Sequence, residues 1–279
     1  MELLGYSGCI LKILEKNGQK IVQKESPDES YNSRLMIQKE KQCSLNLGDL
    51  INCKVYNDSL ENNIYSFRME YINGRTLADW LEQVELSSIE EIVNKVTSNY
   101  IAFDRKNYEA QSIFNNKIKS TKDAANSNFI ARNWINSFDN FFLLLENYSW
   151  EGIVKSPCHG DMTLENILIE NGNLYLIDFL DSFYDTWMID AAKLLQDTEC
   201  FWSYRRKRMS INLKVRLLVF KDLLISKIRN MPEGEYLIDT IYHVLLLNML
   251  RILPYVKDEN DCKYLLVETS YLLSKMERI

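Results

Sequence analysis

The sequence predicts an α+β protein with two lobes: a small β-rich lobe over residues 1–72 and a larger α-helical lobe over residues 73–279. Strand-like runs dominate the first 72 residues, whereas helical spacing of apolar residues dominates the remainder. Between the two regions lies Asn73-Gly74, a dipeptide typical of turns. With 279 residues, of which 46% are hydrophobic, the chain is long enough to bury a substantial core.

The first lobe is predicted to contain a hairpin, one helix and two further strands. Asn17-Gly18 is the strongest short hairpin signal, because both turn residues must tolerate positive φ, and the strands Cys9–Leu14 and Lys20–Lys24 flank it. Residues 31–43 contain neither Gly nor Pro and are predicted to form a helix. The remaining strands are predicted at Ile51–Tyr56 and Ile64–Ile72, with the polar loop NDSLENN between them.

The second lobe is predicted to be helical apart from one hairpin. Thr76 is a suitable N-cap for the helix that follows it. Further helices are expected at residues 88–106, at 127–147 and from 185 to the end. The second of these carries an apolar stripe of Phe138, Phe141, Phe142 and Leu145. The exception is a hairpin of strands Ile167–Glu170 and Leu174–Phe179, joined at Asn171-Gly172.

Composition argues against several classes of function. A net charge of −6 disfavours non-specific nucleic-acid binding, which needs a positive field, and weakly favours a neutral or cationic substrate. The six cysteines are scattered without a C-x-x-C pair and there are two histidines, so we expect free thiols in a reducing compartment and no zinc site.

Targeting signals are not expected either. The N-terminus lacks the basic region and cleavage site of a signal peptide. The longest apolar run, YHVLLLNMLRILPY, contains three polar side chains and is predicted to be a buried helix with His243 as a packing residue. We therefore expect a cytoplasmic protein with no membrane partner.

Three oxygen-bearing side chains occur in the stretch CHGDMTLENILIENGNLYLIDF, residues 158–179. Asp161 lies in a loop before the predicted hairpin, Asn166 at the end of that loop, and Asp178 at the end of the returning strand, so the tight turn would gather them around one point. Such oxygens suit magnesium, and a loop carboxylate can accept a hydroxyl proton, so the set indicates phosphoryl transfer from ATP. Alternatively, they are ordinary polar residues of surface turns.

The pattern H-G-D-x-x-x-x-N followed by I-D-F resembles the signature of the aminoglycoside phosphotransferase and choline kinase family. In this chain it comprises His159-Gly160-Asp161, Asn166 and Ile177-Asp178-Phe179. The resemblance implies a bilobal protein-kinase-like fold and transfer of the γ-phosphoryl group of ATP, with Mg²⁺, to a hydroxyl of a small molecule. It implies that Asp161 is the catalytic base, that Asn166 and Asp178 bind magnesium, and that His159 braces the loop.

The same resemblance implies a lysine for the phosphates of ATP. Lys24 ends a predicted strand and shares a face with Val22, as the corresponding kinase motif requires, and Glu40 in the next helix would position it. The alternative for Lys24 is an exposed strand end. For Glu40, the alternatives are Glu25, Glu29 or another carboxylate on the helix surface.

Three more segments are similar to parts of this family. FRMEYINGRTL resembles the connector between kinase lobes, where the backbone of Glu70 and Ile72 would bind the adenine edge. The phosphate loop, with Ser7, is expected near Gly5-Tyr6-Ser7-Gly8. Asp190 in WMIDAAKLLQD is similar to a structural aspartate that follows the metal site.

The residues after the hairpin leave the acceptor open. Four aromatic side chains could hold a quaternary ammonium by cation–π attraction, or could simply pack helices together: Trp187, Phe201, Trp202 and Tyr204. Asp181 and Asp185 could orient a sugar or amino alcohol, or Asp185 could cap a helix. The basic run at 205–208 is either a solvated face or a contact for an anionic acceptor.

The sequence thus favours a small-molecule kinase whose acceptor is a sugar, an aminoglycoside-like compound or an amino alcohol. One alternative is a catalytically silent nucleotide-binding pseudokinase or scaffold. Its only support is that the expected phosphate loop contains no more than two glycines. The other is a protein kinase, which the lack of an A-P-E segment and the short stretch 178–190 disfavour. Oligomeric state is left open.

Overall fold

The computed structural model describes residues 2–4, 8–16, 18–101 and 109–277. The first lobe is built on a five-stranded antiparallel sheet in the order β1-β2-β3-β6-β5, against which helix α1 packs. Its elements, with β4 belonging to a different sheet, are β1 (Glu2–Leu4), β2 (Ile10–Lys16), β3 (Gln19–Glu25), α1 (Asn32–Ser44), β4 (Ile51–Asn52), β5 (Val55–Glu61) and β6 (Ile64–Glu70).

The hairpin predicted around Gly18 is present. Lys16 pairs with Gln19 across β2 and β3, and Gly18 takes a φ of +76°, the left-handed conformation that such a turn requires. Asn17 itself lies outside the described residues. Because β3 then pairs with β6, with Lys24 opposite Phe67, this lysine lies on a central strand of the sheet.

The polar loop predicted for NDSLENN is wrong, because most of it is strand. β5 runs through residue 61, and Asn62 and Asn63 take φ values of 52° and 63° to make the turn into β6. β5 is an edge strand, and Tyr56, Asn57 and Asp58 are exposed on it. Polar residues suit a solvent-facing edge, so composition alone does not distinguish such a strand from a loop.

A second, four-stranded sheet in the order β4-β9-β8-β7 lies where the two lobes meet. Its remaining strands are β7 (Arg75–Thr76), β8 (Ile167–Glu170) and β9 (Asn173–Leu176). The predicted hairpin of β8 and β9 is present, with Asn171 and Gly172 at positive φ. Its second strand ends at Leu176 and not at Phe179, so Asp178 lies in the turn beyond the strand. The single strand predicted at residues 51–56 is wrong: Ile51 pairs in parallel with Tyr175 of this sheet, whereas Val55 starts β5 in the first sheet.

The helices of the second lobe agree with the prediction except between residues 88 and 147. Thr76 caps the first of them, accepting a hydrogen bond from the Asp79 N–H at 3.1 Å. The helices are α2 (Leu77–Leu81), α3 (Leu86–Val96), α4 (Glu109–Ser127), α5 (Asp139–Asn147), α6 (Trp187–Thr198), α7 (Ile211–Arg229), α8 (Gly234–Leu250) and α9 (Glu259–Met276).

Two predicted helix boundaries were wrong. The helix predicted over 88–106 ends at Val96, and the one predicted over 127–147 begins only at Asp139, after two short 3-10 turns. Helix α4 was not predicted. Its buried face includes only two large apolar side chains, Phe114 and Ile118, so its periodicity is weak in sequence.

The core of the second lobe surrounds α8, which is buried along almost its whole length. The segment Gly234–Tyr255 has the length and apolar composition of a membrane span, but 78% of its apolar 18-residue window is buried inside the protein, as in the central helix of a folded lobe. His243 stacks on the Tyr148 ring with centroids 3.6 Å apart and donates from Nδ1 to the Asp239 carbonyl oxygen at 2.9 Å. The predicted buried helix and its packing histidine are therefore confirmed.

The predicted stripe on α5 provides a test of this core. Leu145 is fully buried, whereas Leu143 on the same helix is 56% exposed. We expect Leu145→Ala to lower the free energy of unfolding by about 2–5 kcal/mol through lost burial and a residual cavity. The matched control Leu143→Ala should change it by about 0.5 kcal/mol or less. Urea denaturation measures both, and similar losses at the two positions would contradict the packing of α5.

Candidate active site

A buried carboxylate anchors the HGD loop, residues 158–166. Asp190, on α6, is 1% exposed, and its two oxygens accept hydrogen bonds from the backbone N–H groups of His159 at 2.7 Å and Gly160 at 2.8 Å. Burial raises the pKa of Asp190 to about 7, and these two hydrogen bonds oppose that shift because they stabilise the ionised form. The structural role expected for Asp190 is confirmed.

Gly160 is needed at its position for two reasons. Its φ is +89°, in the left-handed region that disfavours side chains. A Cβ built there would lie 2.3 Å from Ser182 Oγ and 2.7 Å from the Leu180 carbonyl oxygen. The loop and the segment after β9 therefore approach each other as closely as only glycine permits.

The buried side chain of His159 connects the HGD loop to the segment after β9 by hydrogen bonds. The ring is fully buried; Nε2 donates to the Ile177 carbonyl oxygen at 2.8 Å, and Nδ1 accepts from the Asp161 N–H at 3.2 Å. This pattern places the ring proton on Nε2. Burial lowers the pKa of His159 to about 4, so the ring is neutral at neutral pH. His159 thus positions Asp161 from a neutral, buried site.

Asp161 is held between an amide and an ammonium. Asn166 Nδ2 donates to the Asp161 carbonyl oxygen at 2.8 Å and to its Oδ2 at 3.3 Å, while Lys193 Nζ lies 3.0 Å from its Oδ1. Burial raises the pKa of Asp161, but the charge and hydrogen bond of Lys193 outweigh burial, and the pKa lies below its usual range. Asp161 is therefore an ionised carboxylate fixed in one orientation.

Lys24 and Asp178 form an ion pair between the lobes. Lys24 is 3% exposed, so the alternative of an exposed strand end is wrong. Its Nζ contacts Asp178 Oδ1 and also donates to Gln38 Oε1 at 2.9 Å. Asp178 takes a φ of 62°, and this left-handed turn follows directly after Ile177, whose carbonyl His159 holds.

The prediction that Glu40 positions Lys24 is corrected by this geometry. Gln38 on α1 is 1% exposed and contacts the lysine, whereas Glu40 is exposed. Two residues along a helix turn the side chain by about 200°, so the two positions face opposite sides. The helix residue beside Lys24 is therefore a neutral amide.

The other predicted nucleotide contacts are backbone groups or lie outside the described residues. Glu70 ends β6, and its N–H donates to the Lys54 carbonyl oxygen at 2.8 Å. Ile72 follows in the connector and is 6% exposed; within the described residues its N–H has no hydrogen-bond acceptor. Of the predicted phosphate loop only Gly8 is described, with a φ of +82°, and Ser7 lies outside the described residues.

Two lysines at the site were missed in the sequence. Lys193 lies three residues after Asp190 on α6, and residues at this spacing share a helix face, which was the available signal. Lys41 on α1 reaches the second lobe, donating to Asp185 Oδ1 at 2.5 Å and to the Leu180 carbonyl oxygen at 3.2 Å. No sequence pattern pointed to this second contact between the lobes.

The aromatic residues considered for the acceptor mostly pack helices. Trp187 is 1% exposed and stacks on Tyr100 with centroids 4.2 Å apart, and Tyr204 is also buried. Phe201 and Trp202 pack at the edge of the core, where the Arg205 guanidinium covers the Trp202 ring at 3.7 Å. These contacts support the packing alternative.

Most of the charged residues that the sequence offered for acceptor binding have other partners in the structure. Asp185 pairs with Lys41 and does not cap α6 with its side chain, and Asp181 is exposed. In the basic run, Arg205 and Arg206 pair with Asp261. The run therefore behaves largely as a paired surface.

The free side-chain oxygens at this position are of the type that magnesium prefers over transition metals. Across the described residues there is no cluster of three His, Cys, Asp or Glu side chains placed to hold a metal. Asn166 Oδ1 and Asp178 Oδ2, however, accept no hydrogen bond from any described residue. One carboxylate and one amide oxygen are what Mg²⁺ uses when waters and substrate phosphates complete its octahedral shell.

The fold and this arrangement define a bilobal α+β protein of the kinase-like class. Solved structures share the fold over nearly the whole chain. A thermostable mutant of aminoglycoside phosphotransferase APH(4)-Ia, in a ternary complex with AMP-PNP and hygromycin B, is 12% identical with a TM-score of 0.59, covering 98% of this chain and 92% of that one.

Two choline kinases match as well. The enzyme LicA from Streptococcus pneumoniae is 17% identical with a TM-score of 0.56, covering 98% of this chain and 93% of its own. That from Cryptosporidium parvum is 12% identical with a TM-score of 0.56, covering 99% and 91%. No protein-family model and no curated protein sequence matches the chain. At these identities the likeness establishes the fold, and the predicted bilobal kinase-like architecture is confirmed.

The close approach at Gly160 can be tested against a second glycine. Gly160→Ala combines a left-handed φ with contacts under 3.0 Å, whereas a Cβ on Gly172, whose φ is +79°, would meet no atom within 4 Å. We expect Gly172→Ala to cost about 1–2 kcal/mol of unfolding free energy through backbone strain alone. Gly160→Ala should cost clearly more, as urea denaturation would measure. Equal costs would show that the loop has room to shift.

Proposed function

We propose that the protein is a small-molecule kinase, which transfers the γ-phosphoryl group of ATP to a hydroxyl group. The observation that carries this proposal is the clustering of three oxygen-bearing side chains at the HGD loop. Asp161, an ionised carboxylate, and Asn166, whose amide oxygen has no partner among the described residues, lie on the loop itself. Asp178, which pairs with the buried Lys24, follows Ile177, whose backbone is hydrogen-bonded to His159 and Asn166. Phosphoryl transfer needs these groups, because positioning and charge neutralisation supply most of its catalysis.

In this proposal Asp161 acts as the base. As the acceptor oxygen bonds to the γ-phosphorus and the bond to the β–γ bridging oxygen breaks, the hydroxyl proton passes to the Asp161 carboxylate and ADP leaves. The hydrogen bonds from Asn166 and Lys193 keep this carboxylate ionised and oriented before the acceptor arrives. His159 is a positioning residue, since its buried ring contacts the backbone and not the reacting atoms.

Nucleotide would bind between the lobes. Lys24 would contact the phosphates, Glu70 and Ile72 would offer backbone groups to the adenine edge, and Ser7 remains the proposed phosphate-loop contact. Asn166 and Asp178 would hold magnesium, which when bound neutralises charge on the phosphates. The solved structure with AMP-PNP supports a nucleotide in this fold.

The structural neighbours bear on the class of the acceptor. Structural neighbours named for aminoglycosides and choline support a small molecule over a peptide. The intact set Asp161, Asn166, Asp178 and Lys24 argues against the silent pseudokinase or scaffold. In this proposal the kinase acts in the cytoplasm, and its reaction needs neither nucleic acid nor a membrane.

Replacing the base tests the reaction. We expect Asp161→Asn to lower turnover by at least about a hundredfold, the usual effect of losing an acid–base group. ADP release over a panel of sugars, amino alcohols, hydroxy acids and aminoglycosides measures turnover. The control is Asp222→Asn, an exposed aspartate on α7 with no proposed role at the site, which should leave turnover unchanged. Full activity of the Asp161 variant, or nucleotide binding without turnover on any acceptor, would contradict the proposal.

The pH dependence tests the role of Lys193. Because its ammonium lowers the pKa of Asp161, wild-type kcat/KM should stay constant well into the acidic range. In Lys193→Met the pKa of Asp161 rises, the base is protonated at higher pH, and the acidic limb should move up by about one pH unit. Lys193→Arg keeps the cation and should keep the limb in place. An unmoved limb in the methionine variant would exclude this electrostatic role.

A further inference from the structure

Two cationic side chains from different helices share one aromatic ring near the candidate base. The Arg251 guanidinium, directly after α8, lies 5.0 Å from the centroid of the Phe183 ring. Lys117 Nζ, on α4, lies 5.8 Å from the same centroid. Phe183 belongs to the segment that runs from Asp178 to α6, and its neighbour Ser182 lies so close to Gly160 that a Cβ built there would be 2.3 Å from the Ser182 Oγ. The two-cation cluster of Arg251 and Lys117 therefore lies beside the HGD loop.

This two-cation cluster lacks a counter-charge of its own. Neither side chain has a carboxylate within ion-pair distance among the residues that the structure describes. Burial lowers the pKa of Lys117, and the charges of Arg251 and Arg34 lower it further. A lysine beside carboxylates would have its pKa raised, so the surroundings of Lys117 are positive on balance.

The nearby base does not neutralise the cluster. Asp161 is the carboxylate with the largest effect on Arg251, and it raises the pKa of that guanidinium against the effect of burial. Its Oδ1, however, already pairs with Lys193 at 3.0 Å. The charge of Asp161 is therefore shared between Lys193 and Arg251, and Lys117 adds a further cation beside Arg251, so positive charge is in excess next to the group that would receive the hydroxyl proton.

A buried hydrogen-bond donor adjoins the cluster. Asn248 is 1% exposed, and its Oδ1 accepts from Arg251 Nη1 at 3.0 Å. Nδ2 of the same amide is buried and has no acceptor among the described residues. Buried hydrogen-bond donors normally have an acceptor, so the amide of Asn248 is a second indication that a ligand with hydrogen-bond acceptor oxygens binds beside Arg251.

We infer that the phosphoryl acceptor is an anionic hydroxy compound, a small molecule with a carboxylate or phosphate group that Arg251 and Lys117 bind while its hydroxyl faces Asp161. This inference rests on the proposed function and specifies its substrate class. It departs from the expectation, drawn from the net charge of −6, of a neutral or cationic substrate. The field at the site and not the net charge of the chain selects a ligand, and here the local field is positive.

Paired acceptors that differ in charge test the inference. Glycerate and glycerol phosphate are compared with glycerol, gluconate with glucose, and choline and ethanolamine serve as cations; ADP release gives kcat/KM for each. We expect at least about tenfold higher kcat/KM for the anionic member of a pair, with the preference weakened by salt. The better of the carboxylate and phosphate probes identifies the anion. Preference for the neutral or cationic compounds would overturn the inference.

Variants on α4 separate a local effect from a change in net charge. Lys117→Met should raise the KM of the anionic acceptor about tenfold and leave the KM of ATP unchanged. Lys119→Met, on the same helix at an exposed position, is the matched control and should change neither value. Lys117→Glu and Lys119→Glu change net charge equally, and only the former should abolish the preference for anions. A raised KM for ATP in the Lys117 variants would assign the cluster to nucleotide and overturn the inference.

Binding without turnover distinguishes the two proposals. Calorimetric titration of glycerate, glycerol phosphate and gluconate, each beside its neutral partner and with ADP present, measures charge preference alone. Tighter binding of the anions with no phosphorylation of any acceptor would contradict the proposed kinase activity and support the charge preference. Phosphorylation of neutral acceptors with no tighter binding of any anion would support the kinase activity and overturn the inference.

Discussion

The buried carboxylate of Asp190 constrains the whole candidate site. A carboxylate that is 1% exposed is strongly destabilised unless its oxygens are hydrogen-bonded, and here the N–H groups of His159 and Gly160 satisfy them. The loop must then turn at Gly160 with positive φ, and that turn sets the direction of Asp161. Lys193 lies on the same helix as Asp190. Helix α6 therefore both anchors the loop, through Asp190, and supplies the counter-charge of the Asp161 carboxylate, through Lys193.

The two lobes are connected by charges as well as by backbone. Lys24 and Lys41 belong to the first lobe, and their partners Asp178 and Asp185 lie at the two ends of the segment that follows β9. The small sheet adds a further link through backbone hydrogen bonds, because β4 pairs with β9. An anionic ligand bound between the lobes would compete with these two aspartates for the lysines. Its affinity would therefore depend on the free energy needed to break each lysine–aspartate pair.

Much of the site was predictable because its determinants are local in sequence. The turn at Asn171-Gly172 fixes β8 against β9, and this hairpin brings Asn166 beside Ile177, immediately before Asp178, whatever the rest of the chain does. The brace at His159 and the structural aspartate at Asp190 were implied by the family resemblance of their motifs. Residues whose role depends on the phase of a distant helix were not predictable: Gln38, not Glu40, meets Lys24, because the connection between β3 and α1 sets that phase.

The sequence by itself determined the alternation of strands and helices, the hairpin and the loop with Asp161, since turns and periodicity act over a few residues. It did not reveal α4, whose buried face is weakly apolar, nor the strand hidden in NDSLENN at an exposed edge. Only the tertiary structure decided which charges meet. Lys117 and Arg251 are 134 positions apart in the chain and share the Phe183 ring, because helix packing places them there and no local interaction does.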